Sequence, residues 1–131
     1  MSRTVTIARG LVRLTAVVQI VLGVLFWTGN ATGLIPLHQL SGIILVLALE
    51  TIVVAAARVG VDRRLVLLAG VWGVLVVILG LSQDSLLTGS AHWVIEVLHL
   101  LVGLVAIGQA EALATRVQQQ SRDLRSEPGL S

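Results

Sequence analysis

Four apolar segments, separated by short polar connections, follow one another along the chain. By number they run over 11–27, 36–57, 65–81 and 91–114. An α-helix rises about 1.5 Å per residue, so each segment is about long enough to cross a hydrocarbon core of about 30 Å. The connections contain turn-forming residues, as in "TGNATG" and "SQDSLLTGS", or charge, as in "RVGVDRR". The pattern predicts an all-α, up-down-up-down bundle of four transmembrane helices.

Composition indicates a membrane protein and excludes several other classes. Of the 131 residues, 56% are hydrophobic and 12% are charged, and a water-soluble domain of this size could not bury so much apolar surface. The absence of cysteine excludes disulfides and thiolate metal sites. The net charge is +2, but the arginines form no patch interleaved with aromatic side chains, so we expect no nucleic-acid partner.

Arginine placement predicts the orientation in the membrane. Three groups of arginines flank the segments, and with four spans all three groups lie on one side: Arg3, Arg9 and Arg13; Arg58, Arg63 and Arg64; and Arg116, Arg122 and Arg125. The connections on the other side carry no basic residue. The positive-inside rule then puts both termini in the cytoplasm of a multi-pass protein in the cell membrane, a bacterial inner membrane. Trp27 and Trp93 are expected at the outer interface, and Trp72 in helix packing.

A polar motif is repeated in the second and fourth segments. Residues 37–50 read "LHQLSGIILVLALE", and residues 98–111 read "LHLLVGLVAIGQAE", with leucine, histidine, leucine, glycine and glutamate at the same five places. The pattern predicts a duplicated helical hairpin, with repeats at about 11–57 and 65–114 inside a bundle of residues 1–114. Residues 115–131 are predicted to be a cytoplasmic tail that adds one or two turns to the fourth helix and is otherwise flexible.

The first segment also has the features of a secretory signal peptide, namely arginines, an apolar run and small residues. Its "VVQIVLGVLFWTGNATG", however, is similar to "VLVVILGLSQDSLLTG" in the third segment and the loop after it. This partner in the repeat favours a retained helix over a cleaved signal.

The repeated histidines are predicted to face each other at one depth. His38 lies 20 residues before Arg58, and His99 lies 17 residues before Arg116, which puts both at about 26–30 Å from the cytoplasmic charges. Helices 2 and 4 of such a bundle are diagonal, with axes about 11–14 Å apart. Two imidazoles reaching across that gap can bind one metal at the centre of a flat macrocycle, as in bis-histidine haem.

Each of these histidines is followed by a glycine one helical turn later on the same face, Gly42 and Gly103. A larger side chain there would occupy the volume that a porphyrin needs. Alternatively, the glycines allow close helix contact, as small residues do in membranes.

Four further ionisable residues lie in these segments. Glu50 and Glu111 each follow a repeated histidine by 12 residues, and we expect either a proton-linked role or pairing with arginine. Glu96 and His92 share a stripe with His99. Glu96 is expected to orient a histidine ring or to accept a proton, and His92 is either functional or merely interfacial. The Glu-x-x-His spacing also occurs in di-iron bundles, but those require a second such motif, which this chain lacks.

This arrangement resembles the four-helix b-type cytochromes of membranes, including cytochrome b561-like and ferric-reductase-like proteins. The resemblance covers the architecture of the membrane region and the two histidines, each with its glycine. It implies haem b as cofactor and electron transfer as function. Those families commonly stack two haems, whereas the lower positions here are glutamates, which leaves one haem per chain. The connections on the outer side contain no basic residue that could bind the haem propionates, so polar residues there would bind them: Asn30, Thr32, Thr88 and Ser90.

The leading hypothesis is therefore a small cytochrome with His38 and His99 as ligands to the haem iron. Both axial positions are then filled, so the iron transfers electrons to or from a quinone or redox protein. One alternative is a metal or proton site without haem, built from both histidines with His92 and Glu96. Another is a cofactor-free accessory subunit of a larger membrane complex or homo-oligomer. No phosphate loop or hydrolase triad is found, so an electron carrier or subunit is favoured over a stand-alone enzyme.

Overall fold

Four long α-helices form a bundle. In a computed structural model of the protein, which describes residues 3–126 apart from the side chain of residue 125, no strand is present. The helices are α1 (Arg3–Trp27), α2 (Ile35–Arg58), α3 (Arg63–Ser82) and α4 (His92–Ser126), with single 3₁₀ turns at Thr32–Leu34 and Gln83–Ser85. All four helices are apolar and long enough to cross a membrane, which confirms the predicted all-α class and the four helices of spanning length.

Local sequence sets the boundaries between α2 and α3. Gly60 ends α2 with φ at +81°, a conformation that glycine adopts without the steric cost of a Cβ. The Val61 N–H then donates to the Ala56 carbonyl at 3.0 Å. Asp62 caps α3, since its carboxylate accepts from the Arg64 N–H at 2.7 Å. The charged connection is therefore a tight turn between two helices.

Two helices extend beyond their apolar segments. α1 begins at Arg3, eight residues before the apolar run, and α4 continues to Ser126, twelve residues past its apolar run. The extension of α4 is longer than the one or two turns expected from the sequence. Buried residues continue through the charged parts, with Val5 and Ala8 on α1 and Val117 on α4, and this packing stabilises the additional turns. The end of the predicted flexible tail, residues 127–131, lies outside the described residues.

The bundle has one short diagonal. α2 contacts each of the other helices, including α4, whereas α1 and α3 do not contact each other within the described residues. α2 and α4 approach each other closely because several of the buried side chains between helices are alanines, which are small. They include Ala48 on α2 and Ala106 and Ala110 on α4. The two diagonals of the bundle are therefore unequal.

The main core fills the half of the bundle that contains the α2–α3 connection. Leu49 and Ile52 of α2 are fully buried there against Val12 and neighbouring residues of α1 and α4. The outer surface remains apolar, with large exposed side chains on every helix, such as Leu14, Leu47, Ile78 and Leu101. Exposed apolar surface of this extent is expected of a bundle surrounded by lipid.

Candidate functional site

His38 and His99 lie side by side in the half of the bundle away from the main core. Their ring centres are 6.4 Å apart, and the ring planes are inclined at 61°. On its other side the His38 ring meets the ring of Phe26 edge-on, with centres 5.3 Å apart. Because His38 belongs to α2 and His99 to α4, the short diagonal of the bundle brings the two imidazoles together, as the repeated motif predicts.

Polar contacts from α1 hold the backbone beside His38. The side-chain amide of Gln19 donates to the His38 carbonyl at 2.6 Å and to the Ser41 hydroxyl at 2.8 Å. The Ser41 hydroxyl also donates to the His38 carbonyl at 3.1 Å. A Cβ at Gly42 would lie 3.1 Å from the Gln19 nitrogen, so glycine at this position allows the amide to approach α2.

His99 packs against the backbone of α3. A Cβ at Gly80 would lie only 2.9 Å from Cε1 of the His99 ring, closer than any methyl group could sit. One turn along α4, the Val102 carbonyl accepts a hydrogen bond from the Trp72 indole nitrogen at 2.9 Å. Trp72 therefore ties α3 to α4 beside the histidine, in addition to the packing role predicted for it.

One ring nitrogen on each histidine is buried without a partner. The Nδ1 atoms of both His38 and His99 are inaccessible to solvent and make no hydrogen bond within the described part of the chain. A buried polar atom without a partner is costly, and in native proteins it often marks a site that binds something. Both rings thus have unsatisfied hydrogen-bonding capacity inside the bundle. On His99, both nitrogens lie on the ring edge that faces Gly80 of α3, at 3.6 and 3.7 Å from the position of a Cβ there.

The ring separation matches the distance across one metal ion. An imidazole nitrogen binds a first-row metal at about 2.0–2.1 Å, and with about 1.1 Å from nitrogen to ring centre, two imidazoles opposite each other have centres about 6.3 Å apart. The observed separation is 6.4 Å. The pair therefore has the ring-centre spacing of two imidazoles on one metal ion, and this spacing is also within the range of two rings in edge-to-face contact.

The two glycines of the motif have different surroundings. Gly103 has no atom within 4 Å of the position of a Cβ, whereas the space beside Gly42 is taken by the Gln19 amide. This free space is measured for one methyl group, so the role of Gly103 in a porphyrin pocket stays a prediction. Gly42 leaves room for the Gln19 amide, and its role in a porphyrin pocket stays a prediction.

The other predicted ligands on α4 do not complete a metal cluster. Nδ1 of His92 lies 3.3 Å from the Leu86 carbonyl, to which it can donate, and Glu96 is partly buried between His92 and His99. Within residues 3–126, no three histidine, aspartate or glutamate side chains are grouped closely enough to hold a metal ion. The four-residue site considered as an alternative is therefore not assembled.

The repeated glutamates have unlike surroundings. Glu111 pairs with two arginines of α1, with Arg9 Nη2 at 2.6 Å and Arg13 Nε at 2.7 Å. Glu50 faces α3, where a Cβ at Gly73 would lie 2.5 Å from its Oε1. That Oε1 is buried without a hydrogen-bond partner. The sequence left either a proton-linked role or pairing with arginine for these glutamates. Within the described residues Glu111 pairs with arginine and Glu50 does not.

Several residues of the site were not singled out from the sequence. Gln19, Phe26, Ser41 and Gly80 each contact one of the two histidines or its backbone. Gln19 carried a signal, because an amide inside an apolar helix is expected to find a partner. Phe26 and Gly80 carried none, because apolar residues and glycines are common throughout the chain.

Comparison of the chain with protein-family models, with curated proteins and with solved structures gave no match. The histidine pair and its surroundings are therefore the observations from which a function is inferred.

Proposed function

We propose that the protein is a small membrane cytochrome that holds one b-type haem between α2 and α4, with His38 and His99 as axial ligands. The single observation that carries this proposal is the separation of 6.4 Å between two ring centres that belong to repeated motifs on facing helices. When bound, haem iron with two histidine ligands supplies reversible one-electron chemistry.

The residues around the pair have roles that suit such a group. Phe26 packs against His38 and, with the apolar helices, keeps water from the rings. At Gly103 no atom lies within 4 Å of the position of a Cβ, so no side chain blocks that position. Glu96 is assigned as a proton acceptor or as an orienting partner for a ring nitrogen, and His92 as an interfacial residue. Polar residues at the ends of the connections would bind the propionates: Asn30, Thr32, Thr88 and Ser90.

The proposed topology is up-down-up-down, with both termini in the cytoplasm of a bacterial inner membrane. This assignment is supported by the arginine groups and by four helices of spanning length. The haem would then lie toward the outer leaflet. Because the second repeated position carries glutamates and not histidines, one haem per chain exchanges electrons with a quinone or an outer redox protein. A larger complex or a homo-oligomer would suit the apolar outer faces.

An absorption spectrum tests the proposal directly. Protein purified in mild detergent should show a Soret band and, after dithionite, the α band of b-type haem. His38→Ala and His99→Ala should each abolish or strongly weaken these bands, because either substitution removes one axial ligand. His92→Ala, on the same helix as His99, is the matched control and should retain them.

A protein that stays colourless when haem is supplied during expression would contradict the proposal. Elemental analysis would then separate the alternatives, since bound metal without colour indicates a metal site. A protein with neither colour nor bound metal would be a cofactor-free subunit.

A further inference from the structure

Glu50 is a partly buried glutamate that faces α3 and forms no ion pair with any residue that the structure describes. Its Oε1 is buried and accepts no hydrogen bond within residues 3–126. Its neighbours on α3 are two glycines, since a Cβ would lie 2.5 Å from Oε1 at Gly73 and 3.5 Å from Oε2 at Gly70. The absence of side chains on α3 creates the space that the carboxyl group occupies. This packing accommodates the group sterically but does not compensate a negative charge.

Glu111, the equivalent residue of the other repeat, shows which contacts stabilise an ionised carboxylate in this bundle. Glu111 makes charged hydrogen bonds with Arg9 and Arg13 of α1 at 2.7–2.8 Å. Glu50 forms no ion pair within the described residues. An unpaired buried carboxylate is strongly disfavoured, and such a group normally takes up a proton instead. The two repeats therefore hold the same residue type in two different chemical settings.

A groove that Glu50 helps to line extends toward the end of the bundle that carries Arg58. It has a volume of about 570 Å³ and is lined by residues of α1, α2 and α4, with Glu50 among those of α2. Arg58, at the end of α2, is the charged residue that lines it with Glu50. Arg58 lies eight residues along the helix, which is about 12 Å. α1 contributes Thr4, and α4 contributes Val117 and Ser121, so polar groups line the route from the arginine-bearing end.

We propose that Glu50 is a proton-binding site that exchanges its proton with water through this groove, from the end of the bundle that carries Arg58. A proton from water adds to a carboxylate oxygen to form the neutral acid, and the same proton returns when the acid ionises. No redox step is involved. The site does not depend on the haem proposal, so either can fail without the other.

Two measurements on the same membrane preparation test the site. Dicyclohexylcarbodiimide reacts with protonated carboxyl groups in apolar surroundings and should label Glu50, as read by mass spectrometry of its peptide. Glu111 is the internal control and should remain unlabelled, because its arginines keep it ionised. Infrared spectra should contain a protonated carboxyl stretch that disappears in Glu50→Gln and decreases as the pH is raised. This isosteric variant retains the packing against Gly73.

Access through the groove is tested by hydrogen–deuterium exchange of the same infrared band. Thr51→Phe, which places bulk in the groove lining, should slow the isotope shift at least several-fold. Ile43→Phe, on the exposed face of α2 outside the groove, should leave it unchanged. The proposal is overturned if no protonated carboxyl is lost in Glu50→Gln, or if the band neither titrates nor exchanges. Equal exchange in both phenylalanine variants would overturn the assigned route.

Discussion

At the scale of single residues, the histidine pair depends on side chains that approach it from the other two helices. Gln19 of α1 contacts the backbone of His38, and Gly80 of α3 leaves room for the ring of His99. Gln19 acts through a hydrogen bond, and Gly80 acts because it has no side chain. Each can be removed by one substitution while the histidines themselves remain.

Gln19→Leu should weaken the binding of haem without removing a ligand. Loss of the bonds to the His38 carbonyl and the Ser41 hydroxyl costs about 1 kcal/mol, or about fivefold in affinity. Haem titration of the purified variant measures this loss. Gln39→Leu is the matched control, because Gln39 is adjacent to His38 but exposed. Equal affinities in the two variants would show that Gln19 does not position His38.

Gly80→Ala should destabilise the protein and disturb the haem spectrum. The added methyl group would meet the His99 ring at 2.9 Å, and overpacking of this kind costs about 1–3 kcal/mol. Gly23→Ala is the control from the matching helix of the first repeat. No atom lies within 4 Å of its Cβ position, so alanine there should be neutral or should stabilise the helix by up to about 1 kcal/mol. Denaturation curves and absorption spectra compare the two, and equal effects would contradict close packing at Gly80.

At the scale of secondary-structure elements, charge and not only apolar packing joins α1 to α4. Glu111 binds both arginines, and Arg9 also donates to the Thr115 hydroxyl at 3.3 Å. The side chain of Arg9 is 21% exposed and that of Arg13 is 62% exposed. The cluster lies along the parts of both helices where apolar sequence gives way to charged sequence, which is why it supports the longer helices.

Arg9→Ala should therefore cost more stability than Arg13→Ala. Removing a partly buried charged hydrogen bond costs about 1.5–3 kcal/mol, whereas solvent screens an exposed ion pair, which therefore contributes less. Unfolding in increasing denaturant measures both, and combining each with Glu111→Gln isolates the coupling of each pair. Coupling energies of equal size for Arg9 and Arg13 would contradict the difference in burial.

At the scale of the whole molecule, the proposed orientation is tested with single cysteines, because the native chain has none. Ser90→Cys, in the α3–α4 connection, should react with an impermeant maleimide added to intact cells. Gln119→Cys, near the end of α4, should react only after the membrane is made permeable. The reverse pattern would place the termini outside and move the histidine pair to the cytoplasmic side.

Much of the architecture was readable from the sequence because a membrane imposes simple conditions. A membrane span must be apolar, about 20 residues long and internally hydrogen-bonded, so hydropathy alone predicts four helices. The structure confirms the all-α class and four helices of spanning length. The 61-residue repeat pointed to His38 and His99 as residues at one depth, because depth along a helix follows from residue count alone. The ring distance of 6.4 Å agrees with that argument.

Only the tertiary structure decided which groups are partners. Contacts between helices depend on the rotation of each helix about its axis and on which diagonal is short, and neither is contained in a residue count. The matched glutamates illustrate this: Glu111 faces the arginines of α1, whereas Glu50 faces the glycines of α3. The repeat made these two residues equivalent in sequence, and the packing of α2 and α4 against different neighbours gave them different chemistry.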